Sequence, residues 1–300
     1  MIKYKKAICY SGYRENQSPL KNIFPSFEEV YQDLIILSKH FSYIRMYDIS
    51  EHPKTVLSII KKHNIPLKVM LGVEPKGEIS NPNCPWGGLH SDDEIEKHKV
   101  FNYQQLDSLA ALANMYPDIV LALSVGNENT ASWHPNKMDP NTLLSHVKYL
   151  KEKTSLPITF CEGAFEWRNN CEKLAAVVDF ISIHVYPLWQ GIPYINSVKH
   201  TINEYQLTKE KYFDKQVIFT EFGWTTSASK QMDQSQTTQF YQNEYLTEMD
   251  KWSFENEVPM FIFEAFDEPW KGGNDPFEPE KNWGIYEVDR RPKKWASFLK

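Results

Sequence analysis

Short runs of apolar residues alternate with longer amphipathic stretches along the whole chain. The runs are rich in Val, Ile, Phe and Tyr, which favours β-strands. They predict eight strands, over residues 7–11, 43–49, 66–74, 120–128, 157–163, 180–189, 216–224 and 259–270. Because these runs are almost continuously apolar, we expect both faces of the sheet to be buried.

The stretches between the runs carry apolar residues at helical spacing. They predict helices over residues 26–40, 53–63, 102–116, 141–153 and 234–252, and we expect a last helix that ends at Lys300. Proline often stands just ahead of a helix or strand, as is typical of helix N-termini and strand starts. Eight strands, each followed by a helix, predict a parallel (β/α)8 barrel of the α/β class.

An open, doubly wound sheet is the alternative fold. Such a sheet usually has fewer strands, and the chain lacks the GxGxxG turn that binds dinucleotides. No linker or low-complexity segment divides the 300 residues. A barrel needs about 250 residues, so we expect one barrel domain over residues 1–300.

Residues 75–93 form a long segment rich in Pro, Gly and Asn after the third predicted strand. Because the segment follows the C-terminal end of a strand, it should lie on the active-site face of a barrel. It is either part of a cleft wall or a passive surface loop.

Composition and charge exclude several classes of protein. Apolar residues make up 41% of the chain and charged residues 24%, which excludes a disordered or fibrous chain. The net charge of −6 gives no electrostatic reason to bind nucleic acid or an anionic membrane. No apolar run approaches the roughly 18 residues of a transmembrane helix. We expect a monomer with neither nucleic-acid nor membrane partners.

The cysteines and the N-terminus bear on the compartment. Cys9, Cys84, Cys161 and Cys171 form no CxxC pair, and we expect free thiols. The first residues are basic, but no apolar segment follows them, so they do not form a signal peptide. We therefore expect either a cytoplasmic protein or a periplasmic or secreted one whose leader is missing from this sequence.

Reactive side chains stand where the predicted strands end, which is the active-site face of a barrel. Glu128 ends the fourth strand, Glu162 the fifth and Glu221 the seventh, and His184 lies near the end of the sixth. A carboxylate at the end of an apolar strand is costly to bury unless it is paired or used. Two carboxylates roughly 5 Å apart suit retaining glycoside hydrolysis, one as proton donor and the other as nucleophile.

Ion pairing in the barrel mouth, or metal binding, could also explain these carboxylates. The chain has no GxSxG, HExxH or phosphate-loop motif and no EF-hand-like spacing. His184 could be a zinc ligand, but a lone strand-end histidine is more often a hydrogen-bonding residue. We expect no metal and no cofactor.

Several segments resemble glycoside hydrolase family 17, which contains β-1,3-glucanases and β-1,3-glucanosyltransferases. The motifs that resemble it are LSVGNE at 123–128, VIFTEFGWTTS at 217–227 and FEAFDEPWK at 263–271. In addition, AICYSGY at 7–13 resembles the opening strand of that family, and EKNWGIY at 280–286 resembles its closing segment. The FEAFDEPW form is closer to fungal and bacterial members than to plant members. This resemblance covers nearly the whole chain and implies a retaining barrel enzyme that cleaves β-1,3-glucan such as laminarin.

The resemblance also implies a role for each matching residue. Glu128 matches the acid/base, Glu221 matches the nucleophile, and Asn127 matches an amide that binds the sugar 2-hydroxyl. The other residues expected to bind substrate are Tyr10, Tyr186, Trp224, Glu264, Glu268, Lys271, Glu280 and Trp133. Trp189 and Trp270 are further candidates for stacking on sugar rings.

Three alternative functions use the same residues differently. A β-1,3-glucanosyltransferase would use the same two glutamates and transfer the glycosyl group to a sugar instead of water. A barrel glycosidase could act on another β-glycan, which the motifs of strands seven and eight disfavour. A non-catalytic glycan-binding barrel usually lacks one of the two carboxylates, and both are present here.

Overall fold

Eight parallel strands pair in chain order and close into a barrel in the computed structural model, which describes residues 1–299. The strands are β1 Ala7–Cys9, β2 Tyr43–Arg45, β3 Lys68–Gly72, β4 Val120–Asn127, β5 Ile158–Gly163, β6 Ile181–Val185, β7 Val217–Phe222 and β8 Met260–Ile262. The first and last strands pair directly, Ala7 with Phe261 and Ile8 with Ile262. The predicted (β/α)8 barrel is confirmed, and this closure rules out the open sheet.

Helices follow the first seven strands. They are α1 Phe27–Leu37, α2 Glu51–His63, α3 Asp92–Met115, α4 Pro140–Lys151, α5 Ala164–Asn170, α6 Glu172–Val177, α7 Tyr194–Lys211 and α8 Gln239–Asn256. Their apolar faces pack with the strands into one core of buried residues. All five helices predicted between the strands are present.

Three helices were not predicted, and α3 starts ten residues earlier than predicted. The short α5 and α6 offer too few residues for a periodic signal. On α7 the fully buried residues are Ser197, Thr201 and Thr208, and they interrupt a partly buried apolar stripe of Val198, Ile202 and Tyr205. Helix α3 begins in a polar turn that Ser91 and Glu94 stabilise as a capping box.

The chain after β8 differs from the prediction. Within residues 1–299 it forms only two short 3-10 helices, Pro279–Lys281 and Ala296–Phe298, and the predicted helix end at Lys300 lies outside the described residues. Two buried ion pairs fix this segment instead. Arg290 pairs with Asp33 of α1, and Lys293 pairs with Asp267, each at 2.7 Å.

The C-terminal ends of three strands are irregular. The pairing register shifts between Ser124 and Asn127 in β4, between Ile183 and His184 in β6, and between Phe219 and Phe222 in β7. An extra residue in one strand of a pair re-aims the side chains that follow it. These shifts set the direction of the polar side chains at the barrel mouth.

Three further predictions concern the whole chain. No helix in residues 1–299 is long and apolar enough to cross a membrane. All four cysteines are buried free thiols. That one catalytic domain spans residues 1–300 stays a prediction.

Candidate active site

Four charged side chains from four strands meet at the C-terminal mouth of the barrel. Arg45 ends β2, Glu128 follows β4, and β6 and β7 supply His184 and Glu221. Arg45, His184 and Glu221 are each at most 5% exposed. The side chain of Glu128 is more open, at 20%. The mouth therefore holds one accessible carboxylate beside a buried one.

Glu221 is held by two cations and two hydroxyl groups. Arg45 Nη1 lies 2.5 Å from Oε1, and the Tyr47 hydroxyl donates to the same oxygen at 2.9 Å. The Tyr186 hydroxyl donates to Oε2 at 2.6 Å. Burial alone would raise the pKa of Glu221, but His184, Arg45 and the two tyrosines lower that pKa to about 2. Glu221 is therefore anionic at neutral pH.

His184 bridges the two glutamates. Its Nδ1 lies 2.8 Å from Glu128 Oε1 and 3.6 Å from Glu221 Oε2. Burial lowers the pKa of His184, but Glu221, together with contacts to Cys161 and Glu128, raises it to about 10. The ring is therefore a cation at neutral pH and donates its Nδ1 proton to Glu128.

Glu128 occupies a tight turn after β4. Its φ of +55° lies in the left-handed region, which is uncommon for a residue with a side chain and is often found at functional sites. The backbone N–H of Glu128 donates to the Cys161 carbonyl of β5 at 2.8 Å. The Asn129 side chain accepts from the Asn127 backbone at 2.8 Å. The turn thus aims the carboxylate into the mouth.

The two glutamates are close together. One oxygen of Glu128, one oxygen of Glu221 and one nitrogen of His184 all lie within 4.8 Å of one another. Retaining glycosidases place their two carboxyl groups about 5–5.5 Å apart, whereas inverting enzymes separate them by about 6.5–9.5 Å. The arrangement fits the shorter spacing.

The same three side chains are a conceivable metal site. A ligating histidine must be neutral, but the raised pKa of His184 keeps it protonated. The carboxylate oxygens of Glu221 are already engaged by Arg45, Tyr47 and Tyr186. This donor set suits proton transfer better than metal binding. That the protein needs no metal or cofactor stays a prediction.

A second charged cluster follows β8 and contains four predicted residues. Lys271 Nζ contacts Glu268 and lies 3.2 Å from Glu264 Oε2. Burial and the charge of Glu268 raise the pKa of Glu264 well above its usual range. Burial also raises the pKa of Glu280, with contributions from Glu128 and the other nearby carboxylates. The structure thus brings these four residues together beside the two central glutamates, and their role in substrate binding stays a prediction.

Two predicted binding residues lie in the interior instead. Trp224 is fully buried against Tyr194 and Tyr245, so it offers no face to a sugar ring. Tyr10 is 1% exposed, and its hydroxyl donates to Asp33 at 3.1 Å. Both predictions are wrong, because an apolar residue just past a strand end fits the core as well as a cleft.

The remaining aromatic candidates stand nearer the surface. Trp133 and Trp189 are each 44% exposed. Trp270 is half-buried, and its indole N–H donates to Glu268 at 2.8 Å. These three can present a ring face to a ligand, whereas Trp224 cannot.

No role was predicted for Arg45 or Tyr47. Arg45 stands inside the apolar run 43–49, and a charge inside a strand is costly unless it has a buried partner. The cost of burying this charge was the signal that could have identified Arg45 as a site residue. His184 was noticed at a strand end, but its two glutamate partners come from other strands.

The segment 75–93 is fixed against the loop after Glu128. The side chain of Asn81 is 1% exposed, and its amide donates to the carbonyls of Ser132 and His134 at 2.8 and 2.9 Å. His90 Nε2 lies 3.2 Å from the Pro135 carbonyl. These bonds bracket Trp133, which supports the interpretation of the segment as a cleft wall.

Residues 7–284 match the family described as the BtgE/BtgC glycoside hydrolase domain. This chain belongs to that family. A relative named glucan 1,3-beta-glucosidase, from Arthroderma benhamiae, is 25% identical over 283 residues, which are 87% of this chain and 82% of that protein.

Other relatives of this glycoside hydrolase domain are longer proteins. A probable glucan endo-1,3-beta-glucosidase, btgC of Aspergillus clavatus, is 24% identical over 90% of this chain but only 39% of its own length. The chain thus spans about two fifths of that relative. The crystal structure of an endo-laminarinase from Formosa Hel1_33_131 superposes with a TM-score of 0.83 at 23% identity, over 97% of this chain and 85% of that one. This last likeness shows the shared fold.

Proposed function

We propose that this glycoside hydrolase domain cleaves β-1,3-glucan with retention, and that its family lies within glycoside hydrolase family 17. The observation that carries the proposal is the pair of Glu128 and Glu221 oxygens within 4.8 Å, one side chain accessible and the other anionic. The names of the curated relatives support β-1,3-glucan as the substrate.

Glu221 is the nucleophile in this proposal. Its pKa of about 2 leaves it ionised for attack on the anomeric carbon, and the attack forms a covalent glycosyl-enzyme. The hydroxyls of Tyr47 and Tyr186 hold one carboxylate oxygen each. They fix the direction from which the nucleophile attacks.

Glu128 is the acid/base. It protonates the leaving oxygen in the first step and then takes a proton from water in the second. As Glu221 loses its charge to the glycosyl ester, Glu128 gains one. His184 lies between the two carboxylates, so its positive charge stabilises whichever one is ionised.

Asn127 and the residues after β8 bind the sugar. Arg45 Nη2 donates to Asn127 Oδ1 at 2.5 Å, which leaves the amide N–H groups of Asn127 to meet a 2-hydroxyl. The predicted substrate-binding residues that face the mouth or surround it are Tyr186, Glu264, Glu268, Lys271, Glu280 and Trp133. Water as the acceptor gives hydrolysis, and a sugar hydroxyl gives transfer.

The test is incubation with a linear β-1,3-glucan and its short oligosaccharides, with products resolved over time and their first-formed anomer assigned by proton NMR. We expect shorter β-1,3-oligosaccharides, released first as the β-anomer. Products longer than the substrate would indicate a glucanosyltransferase. Release of the α-anomer first would refute retention.

Glu221→Gln is the matching variant, because the amide keeps the shape of the side chain and removes its charge. We expect turnover to be lost while the fold and glycan binding persist. Glu172→Gln, on the exposed surface of α6, is the control for loss of one carboxylate. Activity that survives in Glu221→Gln would refute the assignment of the nucleophile.

A further inference from the structure

Glu162 is a buried acid that the proposed mechanism leaves unused. It lies at the end of β5, and its exposed fraction is 1%. Its Oε2 accepts two hydrogen bonds from Thr130, from the backbone N–H at 2.9 Å and from the hydroxyl at 2.6 Å. Its Oε1 accepts from the backbone N–H of Gly163 at 2.7 Å. A buried carboxyl that accepts two bonds from one neighbouring turn holds that turn in place.

The turn in question carries the proposed acid/base. Thr130 stands two residues after Glu128, and the backbone N–H of Glu128 donates to the carbonyl of Cys161, the neighbour of Glu162. Strand β5 therefore bonds to the turn at two points. The Cys161 carbonyl accepts from the backbone of Glu128, and the Glu162 side chain accepts from Thr130. With a φ of +55°, Glu128 depends on such outside support to keep its conformation.

We propose that Glu162 is a positioning residue for proton donation: it fixes Thr130 and thereby holds Glu128 in line with the leaving oxygen. The inference rests on the proposed function, because it assumes that Glu128 donates the proton. Glu162 is not expected to touch the substrate.

The charge state of Glu162 suits this role. Burial and the nearby Glu128 raise the pKa of Glu162 to about 8, so its carboxyl group is mostly neutral at neutral pH. The Thr130 hydroxyl, which donates to Glu162 Oε2, also lies 3.7 Å from the thiol of Cys171. A neutral support also places no second negative charge beside the proton donor.

The experiment separates positioning of the acid from general damage by using two leaving groups. Unactivated laminarioligosaccharides need a proton on the departing oxygen, whereas 2,4-dinitrophenyl β-laminaribioside does not. For Glu162→Ala we expect kcat/KM on the oligosaccharides to fall about 100-fold, the size of effect that a misplaced catalytic group produces. On the dinitrophenyl substrate we expect a change of less than about threefold, since kcat/KM there reports only the unassisted first step.

Conservative variants sharpen the test. Glu162→Gln keeps the shape of the neutral acid and an oxygen for Thr130, so we expect it to restore most of the oligosaccharide rate. Thr130→Val removes only the hydroxyl bond and should give a smaller loss with the same selectivity. Glu166→Gln is the matched control, because Glu166 is another acid near Glu128 that makes no hydrogen bond to the turn. It should leave the ratio of the two rates unchanged.

Each result decides the proposal. An equal loss on both substrates would assign Glu162 a purely structural role, and no loss on either would show that the turn does not need it. Wild-type protein that cleaves neither substrate would instead overturn the proposed function, and this inference with it. Should Glu162→Ala unfold in a thermal melt, Thr130→Val and Glu162→Gln carry the same comparison.

Discussion

Removing the charge of Arg45 should raise the pKa of Glu221 and make the enzyme acid-sensitive. Arg45 is 2% exposed, and its Nη1 lies 2.5 Å from Glu221 Oε1, so Arg45→Met leaves a buried carboxylate without its nearest cation. Breaking a buried ion pair in this way costs about 3–5 kcal/mol if the remaining charge persists. When Glu221 binds a proton it becomes neutral, which removes part of this free-energy cost.

The magnitude follows from the partners that remain. The present depression of the Glu221 pKa, from 4.5 to about 2, corresponds to roughly 3 kcal/mol. His184, Tyr47 and Tyr186 still contact Glu221 in the variant. We therefore expect Arg45→Met to cancel about half of this depression, so that the pKa of Glu221 rises by about one to two pH units.

The assay is kcat/KM on a laminarioligosaccharide between about pH 3 and pH 8. In the proposed mechanism the ionised form of Glu221 is the active one, so a higher pKa of Glu221 moves the acidic limb of the profile to higher pH. The limb assigned to Glu221 lies near pH 2 in the wild type and should enter the measured range in the variant. The plateau should also fall, because Asn127 Oδ1 loses the donor at Arg45 Nη2.

Arg45→Lys is the matched control, since it keeps a positive charge but cannot bond Glu221 and Asn127 together. We expect a smaller shift of the acidic limb and a similar fall of the plateau. An Arg45→Met enzyme with the acidic limb of the wild type would refute the view that Arg45 keeps the nucleophile ionised.

Three further predictions follow from the same centre. Azide should restore turnover to Glu128→Ala on the dinitrophenyl substrate by attacking the glycosyl-enzyme, and a rate independent of azide would argue against an acid/base role. His184 has a pKa raised from 6.5 to about 10, so its stabilisation is fully present below pH 6.5 and is lost as the pH rises through 10. Urea unfolding should show this loss in the wild type but not in His184→Gln; equal losses would contradict the assignment. Trp133→Ala should raise KM for long glucans about tenfold at an unchanged kcat, and an unchanged KM would exclude Trp133 from binding.

The fold could be predicted because its signals are local. Each strand lies within a predicted apolar run, although the runs extend past the strand ends since the residues there remain buried. Helix α7 was missed because Ser197, Thr201 and Thr208 occupy its most deeply buried positions and weaken the apolar period of the residues beside them. Short stretches of sequence therefore suffice to predict the barrel, and a helix is missed where polar residues occupy its buried positions.

The candidate site was predictable only in part, for the opposite reason. Glu128 and Glu221 were proposed as a pair because each ends an apolar strand, and the structure brings them together. Of the groups that keep Glu221 ionised, Arg45 is 176 positions away in the chain, and no local pattern connects the two. The error at Trp224 has the same origin, because exposure depends on neighbours such as Tyr194 that come from another part of the sequence.

The closure of the barrel also determines when activity can arise during folding. Strand β8 pairs with β1 across more than 250 positions, Ala7 with Phe261, and the central residues come from β2, β4, β6 and β7. Contacts between such distant segments form late and slowly, because the intervening chain must first be ordered. During refolding, helical circular dichroism should therefore return before catalysis, and enzyme activity should report the joining of the two ends of the chain.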